Sequence, residues 1–199
     1  MPLTRIRDIR REELLKAALR VMKRDGLHAA TIDKIAKQAG LSKGIVHHYF
    51  RDKDELIEMT MRFLYSLRHH EIVKRLRASR SPSDRIWSIV SVNLDKNFLC
   101  HDLCNVLISF NAEAFENEKL ARLQRIGRRR ERANLLHALR QIASQNTVLE
   151  LVLGIMAIVE GCRLWAGYIP EFDSRQATAL ALTFLKQEIP HFDPQVALQ

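Results

Sequence analysis

Between Ser42 and Phe50 the chain carries four side chains with the chemistry to grip a polyanion. They are the Lys43 ammonium, the imidazoles of His47 and His48, and the Tyr49 phenol. Ammonium, imidazole and hydroxyl groups all donate to phosphate oxygens, and the last two can also meet base edges. Their spacing is helical, and it leaves Val46 and Phe50, with Ile45, as the expected buried side. Gly44 removes a Cβ from the same segment, so the backbone there can approach a duplex closely.

The elements that must hold these groups follow from the flanking residues. Thr31 suits an N-cap, and Ile32, Ile35, Ala36 and Ala39 then share one face of a first short helix. Gly40 breaks it, because glycine takes the left-handed C′ conformation without a steric penalty. Ser42 caps a second short helix, and Asp52 with Asp54 and Glu55 opens a third. Two short helices joined by a Gly turn are the layout of a DNA-reading helix-turn-helix, whose second helix enters the major groove.

Charge follows the same segment. The formal net charge is +9, and residues 1–53 hold 13 Lys/Arg against 6 Asp/Glu, whereas the other 146 residues hold 19 against 17. A basic excess confined to the helix-turn-helix segment is the footprint of phosphate neutralisation. It also opposes the reading of the chain as a helical scaffold that never touches DNA. Arg5, Arg7, Arg10 and Arg11 form a basic lead-in that either lies along phosphates or stays solvated.

Thr31-x-x-x-Ile35-Ala36-x-x-Ala39-Gly40-Leu41-Ser42-x-Gly44, followed by Tyr49-Phe50-x-x-Lys53-x-x-Leu56, resembles the head of TetR-family transcriptional repressors. The resemblance implies that Thr31, Ser42, Lys43, Gly44, Tyr49 and Lys53 touch phosphate or lie at the groove. His48 is a usual family residue, while His47 stands where the family often has Tyr and is expected at a base edge or a phosphate. It also implies a homodimer through the two C-terminal helices, a near-palindromic double-stranded operator and a small-molecule effector. Repression rather than activation is the family's usual mode.

Gly44-Ile45, His48 through Lys53, Met61-Arg62, Asn93-Leu94-Asp95, Leu123-Gln124 and Glu160-Gly161 are similar to the choline-responsive regulators of glycine-betaine synthesis. Those regulators supply Trp residues on the middle and penultimate helices, where this chain has Leu107, Asn111 and Arg163. A quaternary ammonium needs aromatic faces and a carboxylate nearby. Trp87, Phe110, Phe115, Trp165 and Tyr168 could provide the faces, Asp95 or Glu160 the charge, and Asn111 a polar lining. Each aromatic taken alone suits an ordinary core better than a cage, and an unrelated amphipathic ligand, sensed by a regulator of a transporter or catabolic operon, is the competing expectation.

The rest of the chain reads as helices. With 199 residues, 7 Gly, 5 Pro and no alternating strand pattern, an all-α protein of about nine helices is expected. A three-helix helix-turn-helix DNA-binding domain would occupy 1–53, and a helical ligand-binding and dimerisation domain 54–199. A first helix runs to Asp25-Gly26 and a long one from Asp52 to about Ala78. Others are expected over about Pro82–Phe98, His101–Glu116, Glu118–Ser144, Asn146–Ile169 and Arg175–Ile189. The arginines of the Glu118–Ser144 helix interleave with Glu131 as a solvated, ion-paired face. The Asn146–Ile169 helix is apolar nearly all round, which predicts burial on most sides. Glu150, Glu160 and Arg163 interrupt it, so no membrane span is expected.

Three cysteines, an odd number, with no signal peptide, favour a reducing, cytoplasmic setting over a disulfide framework. Cys100-His101-x-x-Cys104 has the spacing of two zinc ligands but no second pair, so no metal or cofactor is expected, and a redox sensor is a minor alternative. No Gly-rich phosphate loop or nucleophile elbow is present, and the chain is expected not to be an enzyme.

Overall fold

The computed structural model describes residues 2–195, with side chains from residue 7 onward. Arg5 of the basic lead-in therefore lies outside the described side chains. All regular structure among the described residues is helical, in nine helices. They are α1 (Pro2–Asp25), α2 (Ile32–Ala39), α3 (Lys43–Tyr49), α4 (Lys53–Ala78), α5 (Pro82–Asn93), α6 (His101–Glu113), α7 (Glu118–Leu139), α8 (Val148–Tyr168) and α9 (Ser174–Glu188).

The chain divides into two compact units, and α4, α6 and α7 each contribute residues to both. The first unit comprises the chain through Ser66 and Asn105–Ala121. Leu14, Ala18, Val21 and Met22 of α1 are buried in it, as are Ile35 and Ala36 of α2, Val46 of α3 and Phe50. From α4 it buries Leu56, Ile57, Met61 and Leu64. The second unit comprises Leu67–Cys104 and the chain from Arg122. Its core joins Ile86, Trp87 and Val90 of α5 to Leu135 and Leu139 of α7, Val152 and Ile155 of α8, and Ala181 and Leu185 of α9. A Cβ on Gly154 would lie 2.9 Å from Phe184 Cζ, so this glycine lets α8 and α9 approach closely.

Local chemistry fixes several helix starts. Thr31, Ser42, Ser81 and Asp173 all cap with their side chains, and the last two complete capping boxes with Asp84 and Gln176. Several ends differ from expectation. α5 stops at Asn93 instead of Phe98, because Asp95 Oδ1 accepts from the Asn97 N–H at 2.9 Å and the Phe98 N–H bonds back to Asp95 O at 2.8 Å. An Asx turn thus replaces the helical ladder. α6 and α7 end at Glu113 and Leu139, where i→i+3 bonds tighten the chain from Phe115 N to Ala112 O and from Gln141 N to Ala138 O.

Two burial expectations need correction. Ile45 is 40% exposed, so α3 is anchored by Val46 and Phe50 alone. α8 is not buried on most sides within one chain, since Leu149, Leu153, Leu164, Trp165 and Tyr168 are exposed. Its other side, with Leu151, Val152, Ile155, Val159 and Cys162, is buried.

Two glycines give a paired test. Gly40 has φ +68 and caps α2, whereas Gly127 lies within α7 with nothing near its would-be Cβ. Gly40→Ala is expected to destabilise by about 1–2 kcal/mol. Gly127→Ala is expected to stabilise by about 0.5–1 kcal/mol. Urea unfolding of both variants checks the signs.

Candidate functional site

The α2–turn–α3 unit is built from caps and two anchors. Thr31 Oγ1 accepts from the Lys34 N–H at 3.3 Å, and Ser42 Oγ from the Ile45 N–H at 3.4 Å. Between them Gly40 sits in the left-handed region, and the Leu41 N–H reaches Ala36 O at 3.0 Å. Val46 and Phe50 are fully buried, and the Arg11 guanidinium lies 5.5 Å from the Phe50 ring centroid. This fixes α3 from beneath and leaves its other side open.

The expected reading residues fall on that open side. Thr31, Ser42, Lys43, Gly44, His47 and His48 are exposed, and Tyr49 is half-buried, edge-on to His48 with ring centroids 5.3 Å apart. A Cβ on Gly44 would meet only Ser42 Oγ, at 3.9 Å, so the chain's own packing does not demand glycine there. Lys43 Nζ lies 3.1 Å from Asp33 Oδ2, and both side chains are more than half exposed. Such a pair contributes about 0–1 kcal/mol and yields readily to a phosphate. Lys53 is held more firmly, its Nζ donating to His28 O at 2.6 Å. That bond fixes the ammonium beside the α1–α2 turn while leaving donors for a second acceptor. His28 also meets Glu113 of α6 at 3.1 Å within the same unit.

The expected ligand residues are divided. Phe110 and Asn111 belong to the first unit, where Phe110 is buried edge-on to Tyr65 with centroids 6.1 Å apart. Trp87, Asp95, Glu160 and Trp165 belong to the second. Trp87 is a core residue, while Trp165 stands 57% exposed beside Phe172. Phe115, another candidate cage member, is also exposed. Both candidate counter-charges are already paired, Asp95 with Arg75 Nη2 at 3.1 Å and Glu160 with two arginines.

That second pairing exposes a group that reading the sequence undervalued. Arg163 is buried in the most apolar helix of the chain, and its Nη1 donates to Glu160 Oε1. Arg128 of α7 reaches the same oxygen at 3.2 Å. Burial pushes the Glu160 carboxyl up, but the Arg163 and Arg128 charges, the Arg163 hydrogen bond and the charge of Arg68 outweigh it. The carboxyl is held below its usual range. Burial likewise lowers the Arg163 pKa, and Glu160, with help from Glu131, more than restores it, so the guanidinium stays charged. Asn93, wholly buried on α5, donates through Nδ2 to Ile89 O and to Glu131 Oε1, each at 2.9 Å. The signal for this centre was present in the sequence as a charge inside an apolar run three residues after Glu160.

Among the described residues no group of three or more His, Cys, Asp or Glu could hold a metal ion, and no helix is long and apolar enough to cross a membrane. Cys100, Cys104 and Cys162 form no disulfide.

Known proteins give a consistent likeness. Residues 14–59 match the family model described as bacterial regulatory proteins, tetR family, and residues 82–190 that of the BetI-type transcriptional repressor C-terminal region. The HTH-type transcriptional regulator BetI of Klebsiella pneumoniae (strain 342) is 33% identical over 194 residues, covering 96% of this chain and all of that protein. BetI of Escherichia coli K12 is 33% identical over 193 residues, covering 96% and 99%. Among solved structures, a transcriptional regulator from Saccharomonospora viridis in complex with choline superposes with a TM-score of 0.82 at 20% identity, covering 90% of this chain and 96% of that one. A regulator from Rhodococcus sp. Rha1 gives 0.73 at 25% identity, covering 90% and 97%.

The charged centre can be tested by itself. Glu160→Gln leaves the Arg163 guanidinium buried without its main partner, and is expected to cost about 3 kcal/mol at neutral pH. The folded-state pKa of Glu160 is depressed. Its contribution is therefore complete above the ordinary carboxylate range and is lost as pH falls through the folded value. Urea titrations across acidic pH should show the gap between native and variant protein closing in that window.

Proposed function

The chain belongs to the TetR family of bacterial regulators, with a BetI-type C-terminal region, and is a ligand-responsive DNA-binding repressor; on that premise we propose how it reads DNA and how it lets go. α3 lies in the major groove, with Lys43, His47 and Tyr49 meeting phosphates and base edges while Gly44 lets the backbone come close. Thr31, Ser42, His48 and Lys53 hold the flanking phosphates. The observation that carries this reading is the exposure of Lys43, Gly44, His47 and His48 together on a helix whose opposite side is pinned by Val46 and Phe50.

The repressor acts as a homodimer through α8 and α9. In support, Leu149, Leu153, Leu164, Trp165 and Tyr168 of α8 and Leu180 of α9 expose apolar surface on the two last helices. A contiguous apolar face of this kind marks an association surface. Two-fold symmetry then presents two α3 helices to a near-palindromic operator, with half-sites about one helical turn apart or slightly more. The division of labour is a DNA-binding domain over 1–53 and a ligand-binding and dimerisation domain over 54–199. A small molecule bound in the latter favours one arrangement of the two heads and lowers operator affinity by its differential binding free energy. Choline or another organic cation is the effector favoured by likeness to BetI and by the choline-bound S. viridis structure. The pairing of Asp95 and Glu160 with arginines weighs against it.

Alanine at Lys43, His47 and Tyr49 together is expected to abolish specific operator binding in gel-shift assays. The melting temperature should change little, because none of the three is buried. Lys53→Ala should weaken binding to every duplex and lower the slope of log affinity against log salt by about one unit. For the dimer, Leu153→Asp places a charge on the exposed α8 face. Sedimentation analysis should then show monomers, with operator affinity reduced even though the α2–turn–α3 unit is untouched.

A further inference from the structure

The outward side of α2 has no role in the DNA contacts proposed for α3. Ile35 and Ala36 of α2 face the core, and Asp33, Lys34, Lys37 and Gln38 share the opposite side at helical spacing. Both edges of that side are tied to a neighbouring helix. Asp33 Oδ2 meets Lys43 Nζ, at the start of α3, at 3.1 Å. On the other edge Lys34 Nζ lies 2.8 Å from Asp25 Oδ2, and Arg24 Nη1 donates to Gln38 Oε1 at 3.1 Å. Lys37 stands between the two edges, exposed, and its ammonium has no partner among the described residues.

Arg24, Lys34, Lys37 and Gln38 line an open groove of about 380 Å³ between the end of α1 and α2. Three of the four are cations, and the Gln38 oxygen is already taken by Arg24, so its amide is left to donate. The groove is therefore lined by donors without a free side-chain acceptor, which suits an anion and neither a cation nor an apolar group. Asp25, which is not in the lining, holds the Arg24 guanidinium through Nε at 2.7 Å and Nη2 at 3.2 Å. A water takes about 30 Å³, so the groove has room for a phosphate and several waters.

The place of the groove selects the anion. In a helix-turn-helix the first helix crosses the sugar-phosphate backbone while the second lies in the major groove. α2 is that first helix, and the Asp33–Lys43 contact sets its outward side beside the start of α3. We propose that Arg24, Lys34, Lys37 and Gln38 form a further phosphate site, which takes a backbone phosphate of the operator beside the half-site met by α3. Lys37 is its free point charge, and Arg24 is its guanidinium fixed in advance by Asp25 and Gln38. The site adds affinity without sequence preference, because phosphates carry no base information. It rests on the assignment of α3 to the major groove and extends the contact surface from α3 across α2 to α1.

The test uses the full chain and an operator duplex selected by it. Backbone phosphates are replaced one at a time by neutral methylphosphonates, and binding is measured across salt concentrations. Lys37→Gln is expected to lower the slope of log affinity against log salt by about one unit while leaving the selected base sequence unchanged. The native protein should lose affinity at one phosphate per half-site to which Lys37→Gln and Lys34→Gln have become indifferent, and Lys37→Arg should restore that sensitivity. Lys96→Gln makes the same charge change at an exposed position of the second unit and should leave the slope as it was. Thermal unfolding verifies that each variant is folded. The proposal is overturned if Lys37→Gln and Lys96→Gln lower the slope equally, which would mean net charge alone. It is also overturned if every methylphosphonate costs the Lys37 and Lys34 variants as much as the native protein. Stabilisation by inorganic pyrophosphate that depends on Lys37, with the operator slope unaffected by its loss, would assign the groove to a free anion and overturn it as well. A native protein that binds no duplex would instead remove the repressor reading, whereas tight operator binding indifferent to Lys37 removes this site alone.

Discussion

A helix of seven residues cannot hold itself, and most of the first unit exists to hold α3. Isolated helices this short are not stable in water, because nucleation is costly and too few bonds follow. α3 persists because Ser42 satisfies an orphan amide at its start, worth about 1 kcal/mol. Val46 and Phe50 add about 1.5–3 kcal/mol each by burial. Gly40 turns the chain so that α2 braces α3. Since only one side of α3 is used for support, the other is free to carry side chains chosen for a partner. The exposed surface of α3 is a consequence of how little of the helix the protein needs for its own stability.

The second unit has the opposite character. α8 buries one apolar side and then places a full positive charge within the same buried stretch, at Arg163. Burying an ion pair seldom adds net stability, because desolvation offsets the attraction. The Arg163–Glu160–Arg128 cluster, extended by Glu131 and Asn93, is therefore poorly explained as a stabilising device. The other side of α8, with Leu153, Trp165 and Tyr168, is exposed. α4 contributes residues to both units.

Local chemistry was legible in the sequence. The caps at Thr31 and Ser42, and the glycine break at Gly40, act over three or four residues, so their signals are complete in the chain itself. The all-helical class and the family likeness were legible for the same reason. Helix ends were overrun where a competing local bond ended the ladder, as Asp95 does after α5. Exposure of Ile45 was not legible, because periodicity marks an apolar side without saying whether the chain covers it. The charged centre was hidden for a different reason. Asn93 and Glu131 are 38 residues apart, and neither means anything until the fold brings them together.

Selection of bound sequences from a random duplex pool by the full-length protein tests the central claim most directly. The account requires enrichment of a near-palindromic motif, two half-sites about one turn of B-DNA apart or slightly more, with affinity falling steeply as salt rises. Recovery of unenriched DNA, or of a motif without two-fold symmetry, would contradict it.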